Sequence, residues 1–385
     1  MKLRTAAICV LLLATGAGCA IPAKTPTTAA PDVAKPKARI ANDKWQWFKS
    51  MFFSPTKELV YLDRWWGRAT GHPFPAKNID VNGNPADSPV FVNRDASKMS
   101  LAEIERGPNS DDGPVGKITA TKIKESGASP GFFGKDSRGV KYLFKFDING
   151  WPEMATGAEV VGNRLMHALG YNVPEAQIMI MHDVGTKFDG QRCAAVKFVP
   201  GEILGPWDFK ENRDLREVRT LKLASAWINN TDMKEINSLM TWRDNRLKVY
   251  LIDFGNSLGS HSIDPKMPEA GWEYRFDVDE MFHQIFTLGL CGKPFRKDKK
   301  PFSPAVGLFD ADFDPERWKT NYPVVSFFDA TPDDSKWMAR RIAAFTDDQI
   351  RAAVSAGEYS RKEDADHIAA VLMQRRDAIR NVYLK

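Results

Sequence analysis

Asn229-Asn230-Thr231-Asp232-Met233-Lys234-Glu235-Ile236-Asn237, followed a short way on by Val249-Tyr250-Leu251-Ile252-Asp253-Phe254-Gly255, is the stretch on which the reading turns. A polar loop leaves a helix and presents a carboxylate, an amine and an amide oxygen. A buried apolar strand then delivers a second carboxylate, and the glycine after Phe254 frees the backbone to turn. Transfer of a phosphoryl group needs such parts. One carboxylate accepts or orients the nucleophile's proton, a cation meets the moving phosphate, and oxygen ligands hold Mg²⁺.

This spacing resembles the protein-kinase superfamily, whose catalytic loop runs D-x-K-x-x-N and whose metal-binding loop is D-F-G. Asp232, Lys234 and Asn237 match the first at each offset, and Asp253-Phe254-Gly255 match the second. The resemblance implies Asp232 as catalytic base, Lys234 as the γ-phosphate contact, Asn237 and Asp253 as metal ligands, and ATP with Mg²⁺ or Mn²⁺ as cofactors. At average residue usage a D-x-K-x-x-N falls somewhere in a chain this long in roughly one case in twenty. Requiring D-F-G after a strand shortly downstream lowers that about a hundredfold, so the pair is specific where either alone is weak.

Upstream, Val140 to Phe146 alternates around aromatic residues and predicts a strand. Glu153 to Leu169 carries Ala158, Val161, Leu165 and Leu169 at helical spacing, with Gly170 as the stop. Gln177 to Met181 and Ala194 to Val199 read as further strands, and Pro200-Gly201 breaks the second. Beyond that point the pattern turns helical, with a long amphipathic stretch from Leu215 to Ile228. Two C-terminal helices are opened by the capping boxes Thr346/Gln349 and Ser360/Glu363. Strands early and helices late predict a two-lobed α+β protein, with a β-rich first lobe, a mainly helical second lobe and a boundary near Pro200. That is the kinase-like arrangement.

Under the same resemblance, Lys145 stands where a kinase places its phosphate-binding lysine. Glu159, at the margin of the helix's apolar arc, is its expected partner, while Glu153 in the first turn meets the helix dipole. Gly131 and Gly134, within Gly127–Lys135, are expected to cover phosphates with backbone N–H groups. Phe198 to Glu202 reads as an inter-lobe hinge whose backbone would meet adenine. Asn230-Thr231 replace the usual His-Arg, and no A-P-E follows Gly255. The chain thus resembles atypical families such as HipA-like and CotH-like kinases, over about residues 115 to 290.

Met1 to Cys19 reads as a secretory leader: Lys2 and Arg4, an apolar run from Ala6 to Ala14, then small residues. Gly16-Ala17-Gly18-Cys19 resembles a bacterial lipobox, with Gly16 where Leu is usual. The resemblance implies a lipid on Cys19, and cleavage after Ala20 is the alternative. Residues 20–43 form a Pro/Ala/Thr-rich tether, residues 44–200 an aromatic extension plus the first lobe, and residues 201–385 the second. The expectation is export to the cell envelope, facing the periplasm, with the anchor holding the protein on a membrane. The aromatic run Lys44 to Phe53 is either an interfacial patch beside that anchor or an element packed on the domain. Cys193 and Cys291 are the cysteines left to the folded part.

The 385 residues carry a formal charge of +5, so nucleic acid is not expected as a partner. The phosphate acceptor is unidentified. Two rival readings stand beside the kinase. Gly255-Asn256-Ser257-Leu258-Gly259 fits the G-x-S-x-G nucleophile elbow of hydrolases, with His283 and His367 downstream, although Pro265 and Pro268 leave little room for the helix that an elbow needs. A catalytically silent kinase-like scaffold is the other. Lys293 to Lys300 is a basic run, either a solvated loop or a site for acidic partners and lipid heads.

Overall fold

The computed structural model describes residues 34–40, 45, 48, 49, 51, 61–71, 73–125, 127–286 and 292–385. Helices α1 (Leu62–Ala69) and α2 (Leu101–Arg106) precede an antiparallel sheet of β1 (Thr119–Ile123), β2 (Gly131–Lys135), β3 (Lys141–Phe146), β4 (Ala176–Ile180) and β5 (Arg192–Lys197). The strands lie in the order β1-β2-β3-β5-β4, and α3 (Met154–Leu169) runs between β3 and β4 in sequence. A second sheet joins β6 (Glu202–Gly205), β7 (Ser238–Arg243) and β8 (Arg246–Leu251), with α4 (Arg216–Trp227) inserted after β6. Helices α5 (Val278–Phe286), α6 (Pro332–Ala343), α7 (Asp347–Ser355) and α8 (Lys362–Tyr383) follow.

The chain therefore adopts the expected two-lobed α+β fold, with a β-rich first lobe and a mainly helical second. The strand expected before Asp253 is β8, and β7, which the sequence reading did not mark, pairs with it as a hairpin. Its turn residues Asp244 and Asn245 both take left-handed φ angles, 51° and 56°, the geometry that matches the twist of paired strands.

Alternation in β3 sets the site. Tyr142, Phe144 and Phe146 point to one face, where they pack with Phe132, Phe188 and Cys193. Leu143 and Lys145 therefore point to the other, towards α3. Pairing of Gly131 with Lys145, and of Lys145 with Ala194, fixes the register.

Helix α3 is buried almost all round, so Glu159 lies inside the protein and not at the margin of an apolar arc. The expected first-turn role of Glu153 is also corrected. Asp147, just after β3, does the capping: its carboxylate accepts from the N–H groups of Glu153, Ala155 and Thr156 (each 2.9 Å) and from Thr156 Oγ1 (2.6 Å). Glu153 instead accepts from Ser360 N at 2.9 Å. That bond leaves Ser360 without the N–H that Glu363 would reach, so the second expected capping box does not form and α8 starts after Arg361. The Thr346/Gln349 box forms as expected, and Thr331/Asp334 forms another at α6. Trp227 of α4 donates its indole N–H to Leu372 O of α8 (2.9 Å), locking the helical core.

Candidate active site

Lys145 Nζ lies 2.9 Å from Glu159 Oε2 and 2.8 Å from Asp253 Oδ1. Three elements far apart in sequence meet in this triad: β3, α3 and the turn after β8. The same Glu159 oxygen accepts from Gly255 N at 2.7 Å. Glu159 and Lys145 are nearly sealed, whereas the Asp253 side chain is 41% exposed and faces outward. Burial opposes the Lys145 ammonium, yet Asp253 and then Glu159 raise its pKa well above the ordinary value. Lys145 in turn holds the Asp253 carboxyl below the usual range.

Asp253 sits at φ 67°, ψ 63°, in the left-handed region. Aspartate tolerates that region better than most residues, and such strain is concentrated at functional sites. Buried Phe254 and the Glu159–Gly255 bond hold the turn. Gly162 lets α3 approach it: a Cβ there would stand 3.1 Å from Phe254 Cβ.

The loop after α4 brings the other predicted residues together. Asn237 Nδ2 donates to Asp232 O (2.8 Å) and Oδ2 (3.1 Å), and Lys234 Nζ lies 3.0 Å from Asp232 Oδ2. Ile252 N donates to Asn237 O at 3.0 Å, which ties this loop to the residue before Asp253. Asn237 Oδ1 and the second oxygen of Asp253 are hard donors of the kind that Mg²⁺ takes, so their chemistry suits that ion and these two residues would be the ones to hold it. Among the described residues no cluster of three or more His, Cys, Asp or Glu has metal-binding geometry.

Sequence reasoning missed several participants. Lys266 is buried beneath the loop and donates to Thr231 Oγ1 (2.9 Å), Asn256 O (2.9 Å) and Asn256 Oδ1 (2.7 Å), sewing Asp232's neighbour to the segment after Gly255. Burial pushes its pKa down to about 7. Lys124, at the end of β1, reaches across the hairpin to Ser129 O at 2.7 Å. Burial and then repulsion from Lys145 lower its pKa. Glu235 is buried against Lys49 (2.7 Å), and burial followed by Asp208 pushes its carboxyl up to about 7. No motif marks any of the three.

Other expectations are corrected. Gly131 and Gly134 lie within β2, where a Cβ would meet Phe144 O at 2.4 Å and Thr119 O at 3.0 Å respectively. Their backbones are committed to the sheet. Glu202 opens β6 and pairs at the surface with Lys35 at 2.7 Å, so it is the 198–201 segment that links the two sheets. Ser257 is fully buried with an unpartnered Oγ, and the short turn before it is 3₁₀, not the opening of a helix. His367 is engaged with Phe309 O (2.8 Å) and stacked on Phe302, so it does not serve that serine. The side chain of His283 lies outside the described residues, as do Cys19, Cys291 and most of the aromatic run. Cys193 is free, its thiol pushed up to about 12 by burial. The basic run is largely neutralised: Lys293 pairs with Glu273 and Glu280, Arg296 with Asp298, and Lys299 with Asp310 and Asp312.

No protein-family model and no curated protein matches the chain. Among solved structures it is similar to the Helicobacter pylori proinflammatory kinase CtkA, at 13% identity over 70% of this chain and 97% of that one, with a TM-score of 0.40. It is also similar to HipA in the Shewanella oneidensis toxin–antitoxin complex with HipB and operator DNA (11% identity, 83% and 78% covered, TM-score 0.33). A third is the Chaetomium thermophilum Rio2 kinase bound to ADP/Mg²⁺ with a phosphoaspartate (16% identity, 63% and 73% covered, TM-score 0.27).

Proposed function

We propose that this protein is a phosphotransferase that moves the γ-phosphate of ATP, with Mg²⁺ or Mn²⁺, to an acceptor hydroxyl. The observation that carries the reading is Lys145 held between Glu159 and Asp253, with Asp232, Lys234 and Asn237 gathered on the neighbouring loop. A lysine fixed by a buried glutamate is a rigid cation for the α- and β-phosphates. Asn237 and Asp253 would hold the metal, which supplies charge neutralisation along the triphosphate when bound. The acceptor oxygen attacks the γ-phosphorus, the bond from that phosphorus to the β–γ bridging oxygen breaks, and ADP leaves. Asp232 takes the hydroxyl proton, and Lys234 offsets charge on the transferred group.

The same proposal has the protein exported and anchored through a lipid on Cys19, facing the periplasm. Labelling with a radioactive fatty acid that persists in Cys19→Ser would remove that part alone. For the reaction, release of ADP and transfer of labelled γ-phosphate to the acceptor should vanish in Asp232→Ala while nucleotide binding survives. Asp253→Ala should lose metal–nucleotide binding. Equal activity in both variants and the parent would overturn the assignment.

A further inference from the structure

A cavity of about 450 Å³ opens beside the segment that links the two sheets. Phe198 and Pro200 line one side, Tyr250 of β8 another, and Arg94, His167 and Lys248 close it. None of Lys145, Asp232, Asn237 or Asp253 lines it.

Its charges are unequal at the two ends. At one, Lys197 is neutralised by Glu175 (3.0 Å) and Asp111 (3.3 Å). At the other, Arg94 and Lys248 have no carboxylate within ion-pair distance among the described residues. Arg94 spends one guanidinium N–H on His167 O (2.6 Å), and Lys248 Nζ lies 5.1 Å over the ring of Tyr250. Lys248 is exposed as a residue; partial burial of its ammonium, and then Arg94, lowers its pKa, while Asp87 offsets part of the burial at Arg94. Beside them His167 Nδ1 is buried without a hydrogen-bond partner. Burial first, then the repulsion of Arg94, pushes the imidazole down to about 3, so the ring is neutral. Two like charges on the lining of one roomy cavity, with donors to spare, are the makings of an anion site.

We propose that this cavity binds a phosphate monoester with a compact apolar body, its phosphate between Arg94 and Lys248 and its body against Phe198, Pro200 and Tyr250. A phosphate monoester carries nearly two negative charges and three strong acceptor oxygens. It therefore matches two cations and their spare N–H groups better than a single carboxylate does. The apolar wall gives a reason for a body larger than inorganic phosphate. The inference is independent of phosphotransfer and would hold in a protein with no activity.

The test is calorimetric titration of the full chain with phenyl phosphate, without nucleotide and then with a saturating non-hydrolysable MgATP analogue. The expected result is a Kd of about 0.1–1 mM that the analogue leaves unchanged, weakened at least about tenfold in Lys248→Glu and in Arg94→Gln. Inorganic phosphate and benzoate should each bind more weakly than phenyl phosphate. Thermal unfolding of each variant checks that it is folded. Absence of binding at about 10 mM phenyl phosphate, an unchanged Kd in Lys248→Glu, or displacement by the nucleotide analogue would overturn the proposal. Benzoate binding as tightly would overturn the phosphate assignment.

Discussion

Glu159 and Gly255, separated by 96 positions in sequence, are joined by a 2.7 Å hydrogen bond from the glycine N–H to the carboxylate. The oxygen that receives it is the one that pairs with Lys145 at 2.9 Å. One side chain on α3 thus sets both the cation on β3 and the turn that presents Asp253.

Glu159→Gln separates charge from shape. The amide oxygen can still accept from Gly255 N and Lys145, but the lysine is left with Asp253 as its only charged partner in the triad. Phosphotransfer, measured as kcat/KM for ATP, should fall about a hundredfold, equivalent to about 2.7 kcal/mol. Circular dichroism should report an intact fold. Activity within about threefold of the parent would show that the pair does not position the lysine.

Asp147 should matter to stability more than Glu153 does, although Glu153 stands closer to the first turn of α3. Asp147→Ala removes the acceptor of the bonds from Glu153 N, Ala155 N and Thr156 and should cost about 2 kcal/mol in urea denaturation. Glu153→Ala should cost about 0.5 kcal/mol. The reverse order would contradict the capping assignment.

Lys266 gives a pH signature. Its ammonium titrates at about 7 in the folded chain against 10.5 for the unperturbed group. Between those values the unfolded chain binds the extra proton, so the Lys266 contribution makes stability rise with pH, by up to about 1.4 kcal/mol per pH unit. Below pH 7 both states are protonated and the contribution is flat. Urea midpoints of the parent and Lys266→Met, compared from pH 7.5 to about 9.5, should diverge, with the smaller slope in the variant. Parallel curves would show that the buried lysine is not neutral there.

Ser257→Ala removes a buried hydroxyl whose oxygen has no hydrogen-bond partner. The change should leave stability equal or higher, within about 1 kcal/mol, and leave ATP turnover intact. A fluorophosphonate probe should label neither protein. Labelling of the parent that is lost in the variant would restore the hydrolase reading.

The parts of the site legible in the sequence were those fixed by local spacing. Asp232, Lys234 and Asn237 share one loop, and Lys145 announces its face by the alternation of Tyr142, Phe144 and Phe146. Gly131 and Gly134 misled because a glycine needed for strand packing looks the same as one that cradles phosphate. The residues decide between these uses only through Phe144 and Thr119, which are distant in sequence. Lys266 was invisible for a related reason: its role arises from Thr231 and Asn256 meeting in space. The β7–β8 hairpin did carry a signal, Asp244-Asn245 between two apolar runs, but the strand Ser238–Arg243 alternates weakly. Ser360 failed as a cap because Glu153, far upstream, takes its N–H, a competitor that a local motif does not reveal.

In the proposed reaction Lys145, Glu159 and Asp253 make a working site for metal-bound ATP. The most direct test of that site is thermal unfolding of the full chain with and without MgATP, and with MnATP. At about a hundredfold over its Kd the ligand should stabilise the fold by about 2.7 kcal/mol, a rise of several degrees. That rise should require the metal and vanish in Asp253→Ala. No rise with either metal at millimolar nucleotide, or the same rise in Asp253→Ala, would contradict the account.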